Sequence, residues 1–293
     1  MDPFDHNPET QPDANIGLSS EPLPPPPDPY AALPPDLRVP WKGADLAVFI
    51  LVYAGMTVVL GTAPFFVTAL ALHKSFDALK NDSVLFPAIA VISQVLISAG
   101  TIFYFWILIR VRRALSPQQP PEGFWRTIGF RPLGASGTTA GQVFLCLLAG
   151  FGLSMAVTAT SLFIGKHTPT PFDEAFQTRI ALISLILYGI LMAPLVEEMM
   201  FRGFLYPVVA RRFGIVTGVL FTGILFGLFH ALQLWGAWAL VVLLMGVGVA
   251  LTWVRARTRS VLASFLMHVA YNSTLFVGLL IQTKGLTDLT HIR

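Results

Sequence analysis

The chain has 293 residues, 54% of them hydrophobic and only 12% charged, against about 25% charged in an ordinary globular domain. With a mean hydropathy of +0.68, this composition excludes a water-soluble fold for most of the chain and makes lipid its solvent. A formal charge of +3 and a pI near 9.2 do not mark a nucleic-acid binder, because the basic residues sit in short runs beside apolar segments and read as topology signals.

Residues 1–40 hold 12 of the 22 prolines and 7 of the 16 acidic residues, including the run Pro24 to Pro27, and show no apolar periodicity. Such a segment cannot bury enough surface to order itself, so residues 1–42 are read as a disordered, extended Pro-rich tail. It has neither a basic start nor an apolar core of its own, so it is not a cleavable signal peptide.

From there the chain reads as all-α, a polytopic transmembrane helical bundle over residues 43–285. Apolar runs of about 20 residues, each able to cross a ~30 Å hydrocarbon core, place about seven spans near 45–72, 84–109, 139–165, 180–210, 214–232, 235–254 and 260–282. Arg110, Arg112, Arg113, Arg126 and Arg131 follow the second span, Arg211 and Arg212 the fourth, and Arg255, Arg257 and Arg259 the sixth. The opposite connections hold only Lys74, Lys80, Lys166 and Arg179. By the positive-inside bias the even-numbered exits and the N-terminus are cytoplasmic and the C-terminal tail faces outward.

Between the second and third spans, PEGFWRTIGFRP sets Phe124, Trp125 and Phe130 beside Arg126 and Arg131, which fits an interfacial amphipathic segment. Gly134-Ala135-Ser136-Gly137 matches the short string of rhomboid serine proteases, but it lies in a polar connection where Gly and Ser are ordinary turn residues. The single cysteine, Cys146, lies in an apolar segment and reads as a small core residue that says nothing of redox compartment. Gly223 with Gly227 and Gly246 with Ala250 are spaced to let helices approach closely.

The fourth span contains Ala193-Pro194-Leu195-Val196-Glu197-Glu198-Met199-Met200-Phe201-Arg202. Ionisable residues inside an apolar helix are expensive in lipid and mark function by default. Glu198 and Arg202 stand at i,i+4 in the favourable order and pair within the helix. Glu197 points about 100° away without that partner, which makes it the candidate general base. Pro194 removes one helical hydrogen bond just upstream and is expected to open the helix locally.

The fifth span contains Phe226-Gly227-Leu228-Phe229-His230. Its turn from the fourth should fall at Arg212 to Gly214, and an antiparallel hairpin then brings Glu197 and His230 to one depth, about 24 Å from the tip. The seventh span sets His268 and Asn272 on one face at i,i+4, where both can aim hydrogen-bond donors at one point. The alternative is a polar pair that fastens helices together. These residues lie about 14 to 20 Å from the Arg255 to Arg259 turn, somewhat shallower than the first pair. Two carboxylates, two imidazoles and an amide suit water activation and oxyanion stabilisation. They also suit zinc, with Glu197, His230 and His268 as the ligands, although no HExxH helix makes the metal specific.

With these residues assembled, the chain resembles the CAAX prenyl endopeptidases of the Rce type and their bacterial relatives, the CPBP or Abi family, over roughly residues 120–280. The signature is Glu-Glu-x-x-x-Arg, Phe-x-x-x-His and His-x-x-x-Asn on successive membrane helices, and all three occur here in order. The resemblance implies an intramembrane endopeptidase acting on a membrane-associated protein or peptide. In it Glu197 and His230 activate water, His268 and Asn272 stabilise the oxyanion, and Glu198 with Arg202 support the site. The family has been described both as metalloproteases and as glutamate proteases; the spacing favours the latter and needs no cofactor.

Two rival classes stay open at this level: a membrane interaction or bacteriocin-immunity protein acting by binding, and a proton-coupled transporter. A relay should link both membrane faces, whereas the charged groups here gather in one hairpin region. The expected partners are a membrane-embedded substrate and the bilayer, with no nucleic acid. The expected location is the bacterial inner (plasma) membrane.

Overall fold

The computed structural model describes residues 33–115, 122–164, 170 and 178–287. Residues 1–32 of the Pro-rich tail and Lys166 lie outside the described residues. Among the described residues there is no strand, only an isolated bridge.

The helices are α1 (Gly43–Leu72), α2 (Phe76–Lys80), α3 (Leu85–Ala114), α4 (Phe124–Ile128), α5 (Ala140–Ile164), α6 (Arg179–Phe213), α7 (Ile215–Phe229), α8 (Trp238–Thr258) and α9 (Val261–Gln282). Six of them, α1, α3, α5, α6, α8 and α9, are long and apolar enough to cross a membrane. Large apolar side chains on their outer faces are exposed, such as Leu51, Val67, Phe144 and Leu162, which suits a lipid solvent.

The expected fifth span is shorter than the sequence suggests. α7 has 15 residues, about 22 Å at helical rise, and ends at Phe229 instead of 232. Its last turn tightens: His230 N–H donates to Gly227 O at 3.1 Å and Ala231 N–H to Leu228 O at 3.0 Å. The chain then turns through Gly236, whose φ is +92°, and enters α8 at Trp238. Apolar composition alone could not find this end, because Ala231 and Leu232 continue the hydrophobic run.

α7 packs along α8 because glycine removes side chains from the contact. A Cβ on Gly223 would lie 2.4 Å from Val249 N, and one on Gly248 would lie 2.4 Å from Gly223 O. Gly223 and Gly227 are therefore at the contact as their spacing suggests, but the partner glycine is Gly248. Gly246 faces open space, so the expected pairing of Gly246 with Ala250 is corrected by two residues.

The segment before α1 also departs from its composition. Residues 33–42, read as the end of an unordered tail, are held against the bundle. Trp41 is fully buried and its Nε1–H donates to Phe204 O at 3.1 Å. Arg211 donates to Val39 O and Trp41 O at 3.1 and 2.9 Å, and buried Arg255 pairs with buried Asp36 at 2.8 Å. Trp41, Phe49, Phe105 and Phe204 form one aromatic cluster, with ring centroids 5.1 to 5.4 Å apart. Prolines set this short segment's backbone, while its Leu37, Val39 and Trp41 supply apolar surface that an average over the tail hides.

In the α4 segment Trp125 is exposed, Ile128 is buried, and Gly129 at φ +103° ends the helix. The string Gly134-Ala135-Ser136-Gly137 is a closed turn, with Gly134 and Gly137 exchanging backbone hydrogen bonds at 3.0 and 3.1 Å.

Candidate active site

α6 is not uniformly α-helical. Two stretches, Tyr188–Met192 and Met199–Leu205, take the wider π geometry and flank a single α segment, Ala193–Glu198. Pro194 and Pro207 lie at or just past the ends of these stretches, where a missing N–H would leave an α-helical carbonyl without its donor. The six residues between the wide turns include Glu197 and Glu198.

Glu198 and Arg202 are both completely buried, and Arg202 Nη1 donates to Glu198 Oε1 at 2.8 Å. The rest of the guanidinium is bound by α8: Nε donates to Thr252 Oγ1 at 3.2 Å and Nη2 to Gly248 O at 3.0 Å. Its carbon lies 4.5 Å from the centre of the Phe226 ring on α7, a cation–π contact. One side chain thus ties three helices together.

His268 on α9 reaches the same carboxylate, its Nδ1–H donating to Glu198 Oε1 at 3.0 Å. This turns His268 Nε2 towards Glu197 Oε2, 3.8 Å away. His230, at the C-terminal cap of α7, has an analogous anchor: a carbonyl can only accept, so its Nδ1–H donates to Phe226 O at 2.9 Å. The Nε2 of His230 then faces Glu197 Oε1 at 3.9 Å. Both separations exceed direct hydrogen-bond length and match a gap that one water can bridge.

Exposure divides the two glutamates. Glu197 and His230 each keep 17% of their side-chain surface accessible, whereas Glu198 keeps none. The accessible pair is the one that Glu-before-Arg spacing and hairpin register bring together. His268, expected to be shallower, sits level with them.

Asn272 is placed differently from His268. Its Nδ2 donates to Gly189 O on α6 at 2.7 Å, so its amide is engaged with backbone, and no hydrogen bond joins it to Glu197.

Other residues at the site were given no role from the sequence. Phe226 packs its ring 5.0 Å from that of His230 and 5.7 Å from that of His268, so the first residue of Phe-x-x-x-His serves both imidazoles. Tyr53 on α1 and Tyr188 on α6 lie within electrostatic reach of Glu197, and the Tyr188 hydroxyl is 2.8 Å from Ser98 Oγ. A polar residue facing inward on an apolar span is the signal that marks Tyr188 and Ser98.

Among the described residues, no three His, Cys, Asp or Glu side chains are placed to hold a metal ion. Glu197, His230 and His268 face one another, but they do not form a ligand set.

Residues 179–274, from the start of α6 into α9, match the family model described as Type II CAAX prenyl endopeptidase Rce1-like. The matched segment carries every site residue from Glu197 to Asn272 and supports the CAAX protease family that the three motifs resemble. No curated protein and no solved structure matches the chain.

Proposed function

We propose that this multi-pass membrane protein of the CAAX protease family hydrolyses a peptide bond of a membrane-associated protein or peptide, with Glu197 as the general base. The observation that carries the reading is the accessible Glu197 carboxylate with an imidazole Nε2 on either side, 3.9 Å from His230 and 3.8 Å from His268.

In this reading a water sits between Glu197 and His230 Nε2, each accepting one of its protons. As the water oxygen attacks the scissile carbonyl carbon, Glu197 takes up the proton and the carbonyl oxygen becomes an oxyanion. In its imidazolium form His268 donates through Nε2 to that oxyanion while Nδ1–H stays on Glu198. The charges then balance one to one, Arg202 and His268 against Glu198 and Glu197, which low-dielectric surroundings require. Glu197 next passes its proton to the leaving nitrogen, the oxyanion re-forms the carbonyl as the C–N bond breaks, and an amine is released together with a carboxylic acid that carries the second proton of the water.

We further propose that the protease core is the segment 120–280 within the bundle 43–285. The N-terminus faces the cytoplasm, and the membrane is a bacterial inner membrane. The reading needs no metal, so cleavage should survive exhaustive chelation. The test is a membrane-anchored reporter peptide presented to Glu197→Ala and His230→Ala variants. Glu197→Ala should abolish cleavage and His230→Ala should lower it by about 10²- to 10⁴-fold; cleavage at the wild-type rate in both would overturn the proposal and favour a protein that acts by binding.

A further inference from the structure

A buried carboxylate has two oxygens to satisfy, and the two of Glu198 are served unequally. Oε1 accepts from Arg202 Nη1 at 2.8 Å and from His268 Nδ1 at 3.0 Å. Oε2 is just as enclosed and has no hydrogen-bond partner among the described residues. An enclosed oxygen that carries part of a negative charge is cut off from bulk water and needs a donor from the protein. Ser264 on α9 is completely buried, and its hydroxyl lies within hydrogen-bonding reach of the Glu198 carboxylate. Helical spacing puts it there. Ser264 precedes His268 by one turn, so both side chains leave α9 on the same face, and His268 already holds the neighbouring oxygen.

That hydroxyl has one proton and two acceptors within reach. It donates to Val261 O at 3.1 Å, a carbonyl that the helical ladder already serves from residue 265. Rotation about the C–O bond turns the proton to Glu198 without moving a heavy atom. The charge on the carboxylate favours this, because a hydrogen bond to an ionised acceptor is about twice as strong as one between neutral groups.

We propose that Ser264 is a positioning residue, which donates its hydroxyl proton to Glu198 Oε2 and so fixes the carboxylate that aims His268 at the reacting groups. With one oxygen held by Arg202 and His268 and the other by Ser264, the carboxylate cannot turn about its own axis. Freed at Oε2, it exchanges one oxygen for the other, and His268 Nδ1 follows. His268 Nε2 then loses its line to Glu197 Oε2, 3.8 Å away. The proposal rests on the reading of Glu197 as the base and His268 as an oxyanion donor, and adds a group that touches neither water nor substrate.

Ser264→Ala deletes only the hydroxyl and installs the best helix former. A serine bonded to nothing but its own helix would be replaced without loss, since such back-bonding slightly weakens a helix. The partnership predicts instead that kcat on a membrane-anchored reporter peptide falls about 10- to 100-fold, the scale of a small misplacement of a catalytic group, with KM little changed. It also predicts a lower melting temperature in detergent, which identifies the partner without any cleavage. In a Glu198→Met/Arg202→Met background the carboxylate is gone together with its counter-charge, so there Ser264→Ala should not lower the melting temperature.

A wild-type kcat or a wild-type melting temperature in Ser264→Ala would overturn the proposal. An equal fall in melting temperature in both backgrounds would also overturn it, by marking a packing role. If the Met background does not fold, the kinetic split decides: a fall in kcat alone supports the proposal, and any other pattern contradicts it. Failure of the Glu197 reading is seen separately, as cleavage that persists in Glu197→Ala while the difference between the two backgrounds remains.

Discussion

Arg202 donates to Glu198 across 2.8 Å with neither side chain exposed, and the same guanidinium reaches α8 at Thr252 and Gly248. A pair this deep is most informative when one partner is removed, because the other is left as an uncompensated charge. Arg202→Met should destabilise the protein by about 3–5 kcal/mol, read as a lower melting temperature in detergent. Arg202→Lys should recover little, since an ammonium cannot make the forked contacts to Glu198, Thr252 and Gly248 together.

The accessible half of the site should respond differently. His230→Ala removes an acceptor facing Glu197 and touches no buried charge pair, so its melting temperature should stay near wild type. Its cleavage rate on a membrane-anchored reporter peptide should fall by about 10²- to 10⁴-fold.

The contact between α7 and α8 gives a prediction remote from the chemistry. Gly248→Leu places carbon atoms where Gly223 O already lies; the helices must separate, at about 1–3 kcal/mol or more. Because Gly248 O also accepts from Arg202, both melting temperature and cleavage should fall. Gly246→Ala, facing open space, should change neither.

Outside the membrane helices, Asp82 caps α3. Its carboxylate accepts from Leu85 N–H at 3.0 Å, Val84 N–H at 3.1 Å and Lys74 Nζ at 2.9 Å. These bonds, the one from Leu85 foremost, hold its pKa down to about 2. A lowered carboxylate pKa contributes stability that is complete above the unfolded value of about 4 and is lost as pH falls towards the folded value. The melting-temperature difference between wild type and Asp82→Asn should therefore be constant near neutral pH and shrink below about pH 4.

Much of this site is legible in the sequence, for identifiable reasons. Glu198 with Arg202 is a local i,i+4 relationship, and Glu197 with His230 follows from counting equal lengths from one turn at Gly214. Both need only helical rise. The partner of Asn272 was not legible, because Gly189 O lies in a wide turn that a uniform 3.6-residue helix does not contain. Gly248 was missed because small-residue spacing identifies a stripe without saying which glycine faces the neighbour. The end of α7 at Phe229 and the burial of Trp41 were hidden by averages, an apolar one over 214–232 and a polar one over the Pro-rich tail.

On the proposed mechanism Glu197, and not its buried neighbour, takes the proton from water. Glu197→Gln keeps the size and polarity of the side chain while removing its basicity, and Glu197 lies outside the Glu198–Arg202 pair, so the variant should fold with a melting temperature near wild type. The measurement is cleavage of a membrane-anchored reporter peptide by purified Glu197→Gln in lipid vesicles. A folded protein with no detectable cleavage is the expected result; cleavage at a rate close to wild type would rule out Glu197 as the base.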